Sequence, residues 1–286
     1  MRSSVTTDNQ VSAAELESLI DSGRCIVVDC RFEFADTSRG RAAWLVGHIP
    51  GAAYAHLDGD LSSPVTARTG RHPLPDTDRF ADYLASIGWS AGKLLVAYDE
   101  GSNAVASRLW WLMRYHGQPA ALLDGGLAAW LAAGRPLESG EPVRQAAAKA
   151  TLAPDPGMTV EAADIVRDFG RDGLIVLDAR ASQRFSGEVE TLDSRAGHIP
   201  GSLNRPFGAN LQASGRFKEP GQLREEFRVL LGERDPVSVA HSCGSGVTAC
   251  HNLFAMELAG LSGARLYPGS WSEWIRDPDR PVETGA

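Results

Sequence analysis

The sequence predicts an α/β protein made of two tandem copies of one unit, each a mostly parallel sheet with helices on both faces. Short apolar runs with strand character alternate with segments of helical periodicity, which is typical of parallel sheets. The segment Gly-His-Ile-Pro-Gly occurs at residues 47–51 and again at 197–201. An Asp-x-Arg sequence follows an apolar run at Asp29 and again at Asp178. A chain of 286 residues has the length for one core in each unit.

The first unit begins with a helix whose start is encoded locally. Ser12 and Glu15 fit a capping box, which predicts a helix from Ser12 to about Asp21. The residues before Val11 are expected to be disordered, and those between the first strand and residue 47 irregular. Further helices are expected at 78–87, 104–115 and 127–133. Strands are expected at 25–31, 93–98 and 120–123.

The second unit repeats this order. A helix capped by Thr159 is expected to run to Phe169. Further helices are expected at 222–231 and 252–258, and strands at 174–180 and 236–240. An Ala- and Pro-rich stretch between the units is predicted to be a linker. The predicted boundaries are therefore 1–138 for an N-terminal domain, 139–156 for the linker and 157–286 for a C-terminal domain.

Composition narrows the classes of function. The chain is 43% apolar and 22% charged, with a formal net charge of −8 and no long basic run, so a nucleic-acid partner is not expected. The N-terminal residues lack the apolar core of a signal peptide, and no apolar run is long enough for a bilayer, so we expect no membrane association and a cytoplasmic location. Four cysteines without a Cys/His cluster indicate neither a disulfide scaffold nor a zinc site, and no metal or organic cofactor is expected.

The loop that follows the strand at 236–240 carries the chemistry. Its cysteine, Cys243, is followed by Gly244 and Gly246, and the loop leads into a helix. Such a loop can curl its backbone N–H groups around the sulfur, while the positive end of the helix points at the same place. This environment lowers a thiol pKa and makes a nucleophile.

The repeat provides an internal comparison for this loop. When the strands before the two loops are aligned, Glu100 stands in the first unit where Cys243 stands in the second. A carboxylate cannot carry a sulfur atom as a persulfide. The second unit is therefore predicted to hold the active site, beyond the carboxyl ends of its strands.

The loop Cys-Gly-Ser-Gly-Val-Thr-Ala at 243–249 resembles the active-site loop of the 3-mercaptopyruvate sulfurtransferases, which belong to the rhodanese superfamily. The resemblance spans nearly the whole chain and includes the two Gly-His-Ile-Pro-Gly segments, Leu-Asp-Gly-Gly at 123–126 and Pro-Gly-Ser-Trp-Ser-Glu-Trp at 268–274. It implies two tandem rhodanese-like domains, of which only the C-terminal one is catalytic. It also implies that Cys243 takes sulfur from a small-molecule donor as a persulfide and passes it to a thiol acceptor such as thioredoxin or a small thiol, or to cyanide in an assay.

The same loop also indicates which sulfur donor is favoured. In rhodaneses specific for thiosulfate, the active-site loop resembles Cys-Arg-Lys-Gly-Val-Thr. The Arg and Lys side chains of such a loop bind the two negative charges of thiosulfate. The matching residues here are Gly244 and Ser245. Their neutrality favours 3-mercaptopyruvate, although thiosulfate remains the alternative donor. Backbone N–H groups at Gly244, Gly246, Val247 and Thr248 are expected to bind the transferred sulfur.

The donor's carboxylate calls for an arginine fork. Arg180 matches a substrate-binding arginine of the family, with Arg184 and Arg195 as further candidates. Arg31 occupies the place of Arg180 in the first unit, so a structural salt bridge common to both units is the other interpretation.

A proton relay is also implied by the resemblance. In the 3-mercaptopyruvate sulfurtransferases a serine at the position of Ser245 works with a histidine and an aspartate from the N-terminal domain. His48 and Asp36 are the predicted partners, while His198 at the repeated position supports a purely structural role for His48. Arg71 and His72 are second candidates to face the cleft.

Two other classes of function were compared. A cysteine-dependent phosphatase needs an arginine six residues after its cysteine, and Ala249 stands there. A non-enzymatic sulfur carrier or interaction module remains an alternative, which the intact Cys243 loop disfavours.

Overall fold

The computed structural model describes residues 9–169 and 173–285 and separates them into two compact units. The first unit consists of the described residues up to Asp60 together with Thr77–Pro154, and the second of Leu61–Asp76 together with the residues from Asp155 onward. The segment Leu61–Asp76 thus belongs to the second unit, although the predicted boundaries give it to the first. Its Arg71 and His72 explain this placement, because their side chains bond to residues of the second unit. The boundaries at 138 and 157 stay predictions.

The first unit contains a parallel sheet of five strands in the order β1-β5-β4-β2-β3. The strands are β1 Gln10–Val11, β2 Cys25–Asp29, β3 Ala53–Tyr54, β4 Leu94–Tyr98 and β5 Ala120–Leu123. Consecutive residues of β4 are buried from Leu95 to Tyr98, so both faces of this central strand are covered. Gln10 pairs with Leu122, so the prediction of disorder is wrong for this residue, while residues 1–8 lie outside the described residues.

Helices cover both faces of this sheet. They are α1 Ala13–Asp21, α2 Arg39–Val46, α3 Thr77–Ser86, α4 Ala106–Tyr115 and α5 Gly126–Ala132. Leu16 of α1 and Trp130 of α5 pack against Val27 and Val96 on one face, while α4 packs on β4 and β5 from the other. The capping box between Ser12 and Glu15 is present at the start of α1. Helix α2 lies in a stretch predicted to be irregular, and its weak apolar periodicity explains why it was missed.

The second unit contains a parallel sheet of four strands in the order β7-β6-β8-β9. The strands are β6 Ile175–Asp178, β7 Leu203–Asn204, β8 Val239–Ser242 and β9 Arg265–Leu266. The helices are α6 Ala162–Asp168, α7 Ser182–Ser186, α8 Pro220–Leu231, α9 Thr248–Leu258 and α10 Ser270–Trp274. Ile165 and Trp274 pack on one face of the sheet, and α9 covers β8 from the other.

Two predicted starts in the second unit are corrected by the structure. The N-cap of α6 is Glu161 instead of Thr159, because Glu161 and Asp164 form the capping box. Pro236–Ser238 is a turn of 3₁₀ helix, since Asp235 caps it, and the strand begins only at Val239. Asp178 pairs with Ser242 in register, so β6 and β8 end side by side and the Cys243 loop leaves the sheet at its carboxyl edge.

Within the described ranges, no helix combines the length and hydropathy that crossing a membrane requires.

Candidate active site

Cys243 is the first residue after β8 and is buried. Its Sγ accepts hydrogen bonds from the backbone N–H of Gly246 at 3.1 Å and of Ser245 at 3.4 Å. Helix α9 starts at Thr248, with Val247 as its N-cap, and its positive end is therefore adjacent to the loop. The loop can stabilise negative charge on Sγ or on a sulfur atom attached to it.

Gly246 has no room for a side chain. Its φ of +76° lies in the left-handed region, and a Cβ there would collide with the carbonyl oxygen of Pro268. The requirement for glycine is thus both conformational and steric, and it fixes the curl that aims the Gly246 N–H at Sγ.

A second loop supports the Cys243 loop from behind. The Cys243 N–H donates to Oγ of Ser270 at 3.1 Å, and Trp271 N–H donates to the Cys243 carbonyl at 3.0 Å. Ser270 itself has a φ of +52°, an uncommon conformation for serine, and its Oγ donates to the Tyr267 carbonyl. Ser270 thus positions the nucleophile, a role that the sequence analysis missed. The sequence around Ser270 does not indicate that its hydroxyl contacts the Cys243 backbone.

Ser245 contacts a histidine other than the predicted one. Its Oγ lies 2.7 Å from Nδ1 of His72, and both side chains are buried. His72 was only a second candidate in the sequence. A signal for it existed in the repeat, because Gly-Arg-His at 70–72 aligns with Gly-Arg-Phe at 215–217, so His72 has no histidine counterpart.

Two arginines lie over the Gly244 side of the loop. A Cβ built on Gly244 would lie 2.8 Å from Nη2 of Arg71 and 3.6 Å from Nη1 of Arg184. Arg184 donates to Glu190 through Nε and Nη2, and its Nη2 also lies 3.1 Å from Oδ2 of Asp193. Arg71 donates to Oδ1 of the same Asp193. Arg184 is thus near the nucleophile, as expected for a substrate ligand, although its role in binding stays a prediction.

The two carboxylates have opposite pKa shifts. Burial raises the pKa of Asp193, against the pull of Arg71 and Arg184. For Glu190, burial is also the largest influence and acts upward, but N–H donors at Leu192 and Asp193 and the guanidinium of Arg184 outweigh it and lower the pKa.

Arg180 is placed differently from Arg184. Its guanidinium is buried against Asp178, with Nη2 at 2.8 Å from Oδ2, and it also donates to the Gly197 carbonyl. Arg31 makes the same bonds with Asp29 and the Gly47 carbonyl in the first unit. This equivalence supports the structural interpretation of Arg180, and its substrate role stays a prediction. Arg195 is exposed, and its Nη1 contacts the Arg280 carbonyl.

His48 also has an equivalent in the other unit. Its Nδ1 lies 2.8 Å from the Trp44 carbonyl, and its backbone bridges to Glu138. His198 repeats this arrangement, with Nδ1 at 2.8 Å from the Phe185 carbonyl. The same contact in both units supports the structural interpretation of His48, and its relay role stays a prediction.

Asp36 is exposed in the first unit, where its carboxylate accepts from the hydroxyl and N–H of Ser38. These hydrogen bonds lower the pKa of Asp36. The residue acts as the cap of a turn before α2, and its catalytic role stays a prediction.

The first unit shows why its own loop cannot act in the same way. The carboxylate of Asp99, the residue before Glu100, accepts from the N–H groups of Gly101, Asn103 and Val105. An internal carboxylate thus takes up the N–H of Asn103, which aligns with the Gly246 N–H that donates to Sγ in the second unit.

The remaining cysteines are buried free thiols. Cys250 is fully buried, and its thiol donates to the Gly246 carbonyl at 3.4 Å. Among residues 9–169 and 173–285, no group of three or more His, Cys, Asp or Glu side chains has the arrangement to hold a metal ion.

Comparison with known proteins places this geometry in a family. The model of the Rhodanese-like domain matches residues 12–133 and 161–277. A Pseudomonas aeruginosa protein with the name "Probable 3-mercaptopyruvate sulfurtransferase" is 47% identical over 96% of this chain and 98% of its own length. A Mycobacterium tuberculosis relative named for thiosulfate sulfurtransferase is 37% identical over 96% of each chain. The crystal structure of a 3-mercaptopyruvate sulfurtransferase from Escherichia coli superposes with a TM-score of 0.80 at 32% identity, covering 92% of this chain and 99% of that one.

Proposed function

This chain belongs to the rhodanese family of sulfurtransferases, and we propose that it moves a sulfur atom from 3-mercaptopyruvate through a Cys243 persulfide to a thiol acceptor. The observation that carries the proposal is the pair of N–H groups, from Ser245 and Gly246, that point at the buried Sγ of Cys243. The relatives named for 3-mercaptopyruvate support the choice of donor.

The first half-reaction breaks a carbon–sulfur bond. The thiolate of Cys243 attacks the donor sulfur, and the electron pair of the broken S–C bond goes to the carbon as the enolate of pyruvate. That carbon then takes a proton, so that the thiol proton of the donor ends on the methyl group of pyruvate. Ser245 and His72 form the hydrogen-bonded pair that can relay this proton.

The second half-reaction returns the thiolate. An acceptor thiolate attacks the outer sulfur of the persulfide and leaves with it, which releases the sulfur of Cys243. A dithiol acceptor of the thioredoxin type would then form its own disulfide and release hydrogen sulfide. The thioredoxin partner and the cytoplasmic location are parts of this proposal that rest on the sequence.

Arg184 is the side chain best placed to hold the donor's carboxylate. It lies over Gly244, next to the nucleophile, and its side chain is 21% exposed, whereas the Arg180 side chain is 1% exposed and paired with Asp178. A planar guanidinium fork suits a carboxylate.

The test is an assay of pyruvate and thiocyanate with 3-mercaptopyruvate as donor and cyanide as acceptor. The wild-type protein is expected to form both products in equal amounts, and Cys243→Ser neither. Cys250→Ser is the matched control, since it removes a buried thiol from the first turn of α9, the helix that follows the loop. Equal turnover by Cys243→Ser would contradict the proposal.

Thiosulfate is the second candidate donor. The name of the Mycobacterium tuberculosis relative favours it. Higher kcat/KM with thiosulfate than with 3-mercaptopyruvate would establish this alternative. Persulfide formation without turnover to any thiol or cyanide would instead indicate a sulfur carrier.

A further inference from the structure

Four charged side chains form one network at the entrance to the Cys243 loop. Asp193 bridges Arg71 and Arg184, one through each carboxylate oxygen, and Glu190 pairs with Arg184. The carboxylates of Asp193 and Glu190 are each only 4% exposed, while the arginines are 30% and 21% exposed. The acids are therefore fixed, and the cations face outward beside the nucleophile.

The formal charge of this network is zero. The guanidinium groups of Arg71 and Arg184 are balanced by the carboxylates of Asp193 and Glu190. The neighbouring Arg180, whose Nη1 lies 3.7 Å from Oε2 of Glu190, is balanced by Asp178. A bound anion therefore finds arginine donors, but no net positive charge on the side chains of this network. Such a site differs from one in which unpaired cations hold a dianion.

Asp193 holds the arginines in the way that a donor anion would. Its two oxygens contact two guanidinium groups that both approach Gly244. We propose that Asp193 is a specificity-determining residue, a built-in counterion that keeps the donor site neutral and so disfavours a dianionic sulfur donor against a monoanionic 2-oxo acid. This inference rests on the proposed sulfurtransferase function.

Charge arithmetic gives the direction of the effect. Thiosulfate carries two negative charges at neutral pH and 3-mercaptopyruvate carries one on its carboxylate. Removing the charge of Asp193 leaves the network at +1, which attracts both donors but attracts the dianion more. Removing the charge of Arg71 leaves it at −1, which repels the dianion more. The two substitutions are therefore expected to move donor preference in opposite directions.

The experiment measures kcat/KM for thiosulfate and for 3-mercaptopyruvate with cyanide as the common acceptor and thiocyanate as the common product. In Asp193→Asn the thiosulfate to 3-mercaptopyruvate ratio is expected to rise by roughly tenfold at low salt. In Arg71→Gln it is expected to fall. Asp193→Glu keeps the charge and is expected to keep the wild-type ratio.

Glu188→Gln is the matched control, because it removes one exposed carboxylate from the same segment without a partner arginine in the described contacts. Its ratio is expected to stay at the wild-type value. A ratio of donors is insensitive to a uniform loss of folded protein, and the shift in Asp193→Asn should shrink as ionic strength rises. If Asp193→Asn is folded and active but its ratio of kcat/KM for the two donors is unchanged, the role of Asp193 is wrong and the proposed function still stands. Absence of pyruvate formation by the wild-type protein would instead overturn the proposed function.

Discussion

His72 and Ser245 are 173 residues apart in the chain, yet Nδ1 of one lies 2.7 Å from Oγ of the other. Both side chains are buried beside the Cys243 loop, within the same unit. A hydroxyl that is hydrogen-bonded to an imidazole and lies two residues from the reacting cysteine is suited to move a proton. His72 is therefore a relay partner of Ser245 supported by a direct hydrogen bond, while the relay role of His48 and Asp36 stays a prediction.

The relay can be tested by removing each partner. Ser245→Ala and His72→Gln are each expected to lower kcat for pyruvate formation by about 100-fold or more, with a smaller effect on KM, because they act on the proton transfer. The double variant is expected to lose little more than either single one.

His198→Gln is the matched control for the relay, since it changes a buried histidine that bonds a carbonyl elsewhere in the same unit. It is expected to keep kcat. A stable His48→Gln variant with a 100-fold lower kcat, beside an unaffected His72→Gln, would return the relay to His48.

Arg180 and Arg31 make equivalent contacts in the two units, so we expect them to have the same structural role. Arg180→Ala leaves the buried Asp178 without its partner, and Arg31→Ala does the same to Asp29. Each substitution is expected to lower the free energy of unfolding by about 3–5 kcal/mol, measured by urea denaturation. A fully stable Arg180→Ala variant with a raised KM for 3-mercaptopyruvate would support the substrate role instead.

Gly246 predicts a link between backbone shape and activity. Gly246→Ala is expected to abolish most sulfur transfer, because the new Cβ meets the Pro268 carbonyl and displaces the N–H that points at Sγ. Gly201→Ala is the control, since Gly201 has a similar φ of +72° but nothing within 4 Å of its Cβ position. It should cost about 1–2 kcal/mol of stability and leave activity unchanged. Equal sulfur-transfer activity in Gly246→Ala and Gly201→Ala would show that the backbone conformation at Gly246 is not needed for catalysis.

His241, two residues before the nucleophile, predicts a pH dependence of stability. Burial, with a smaller effect of Arg205, lowers the pKa of His241 to about 3. Between the ordinary value of 6.5 and about 3, the unfolded chain binds a proton at this residue and the native chain does not. The free energy of unfolding therefore falls as pH decreases through this window, by at most about 1.4 kcal/mol per pH unit from this group.

His241→Gln removes the titrating group and is expected to flatten that dependence in urea denaturation series between pH 7 and 4. An identical slope in wild type and variant would show that His241 does not stay neutral in the native protein.

Much of the architecture was predictable because its signals are local or repeated. The capping box of Ser12 and Glu15, the apolar strand before Tyr98 and the repeated Gly-His-Ile-Pro-Gly segment each indicate their structure without distant partners. The contrast of Glu100 with Cys243 identified the unit that holds the nucleophile. Helix α2 was missed because its burial is limited to a few residues and its apolar pattern is weak.

The partners of the nucleophile were harder to predict, since they depend on contacts between distant segments. The repeat shows that His72 has no histidine counterpart, but it does not indicate that His72 contacts Ser245. Asp193 resembles an ordinary surface acid until its bonds to Arg71 and Arg184 are seen. The family resemblance favoured His48 because its motif is conspicuous. The repeat favours the other interpretation, since His198 makes the same contact in the second unit, and the relay role of His48 stays a prediction.

The most direct measurement is mass spectrometry of the protein after exposure to 3-mercaptopyruvate without an acceptor. The account predicts the added mass of one sulfur atom on the peptide that contains Cys243, its disappearance when cyanide is added, and no such addition in Cys243→Ser. Sulfur found on Cys25, Cys30 or Cys250 instead, or pyruvate formed with Cys243 unmodified and replaceable, would contradict the claim that Cys243 carries the transferred sulfur.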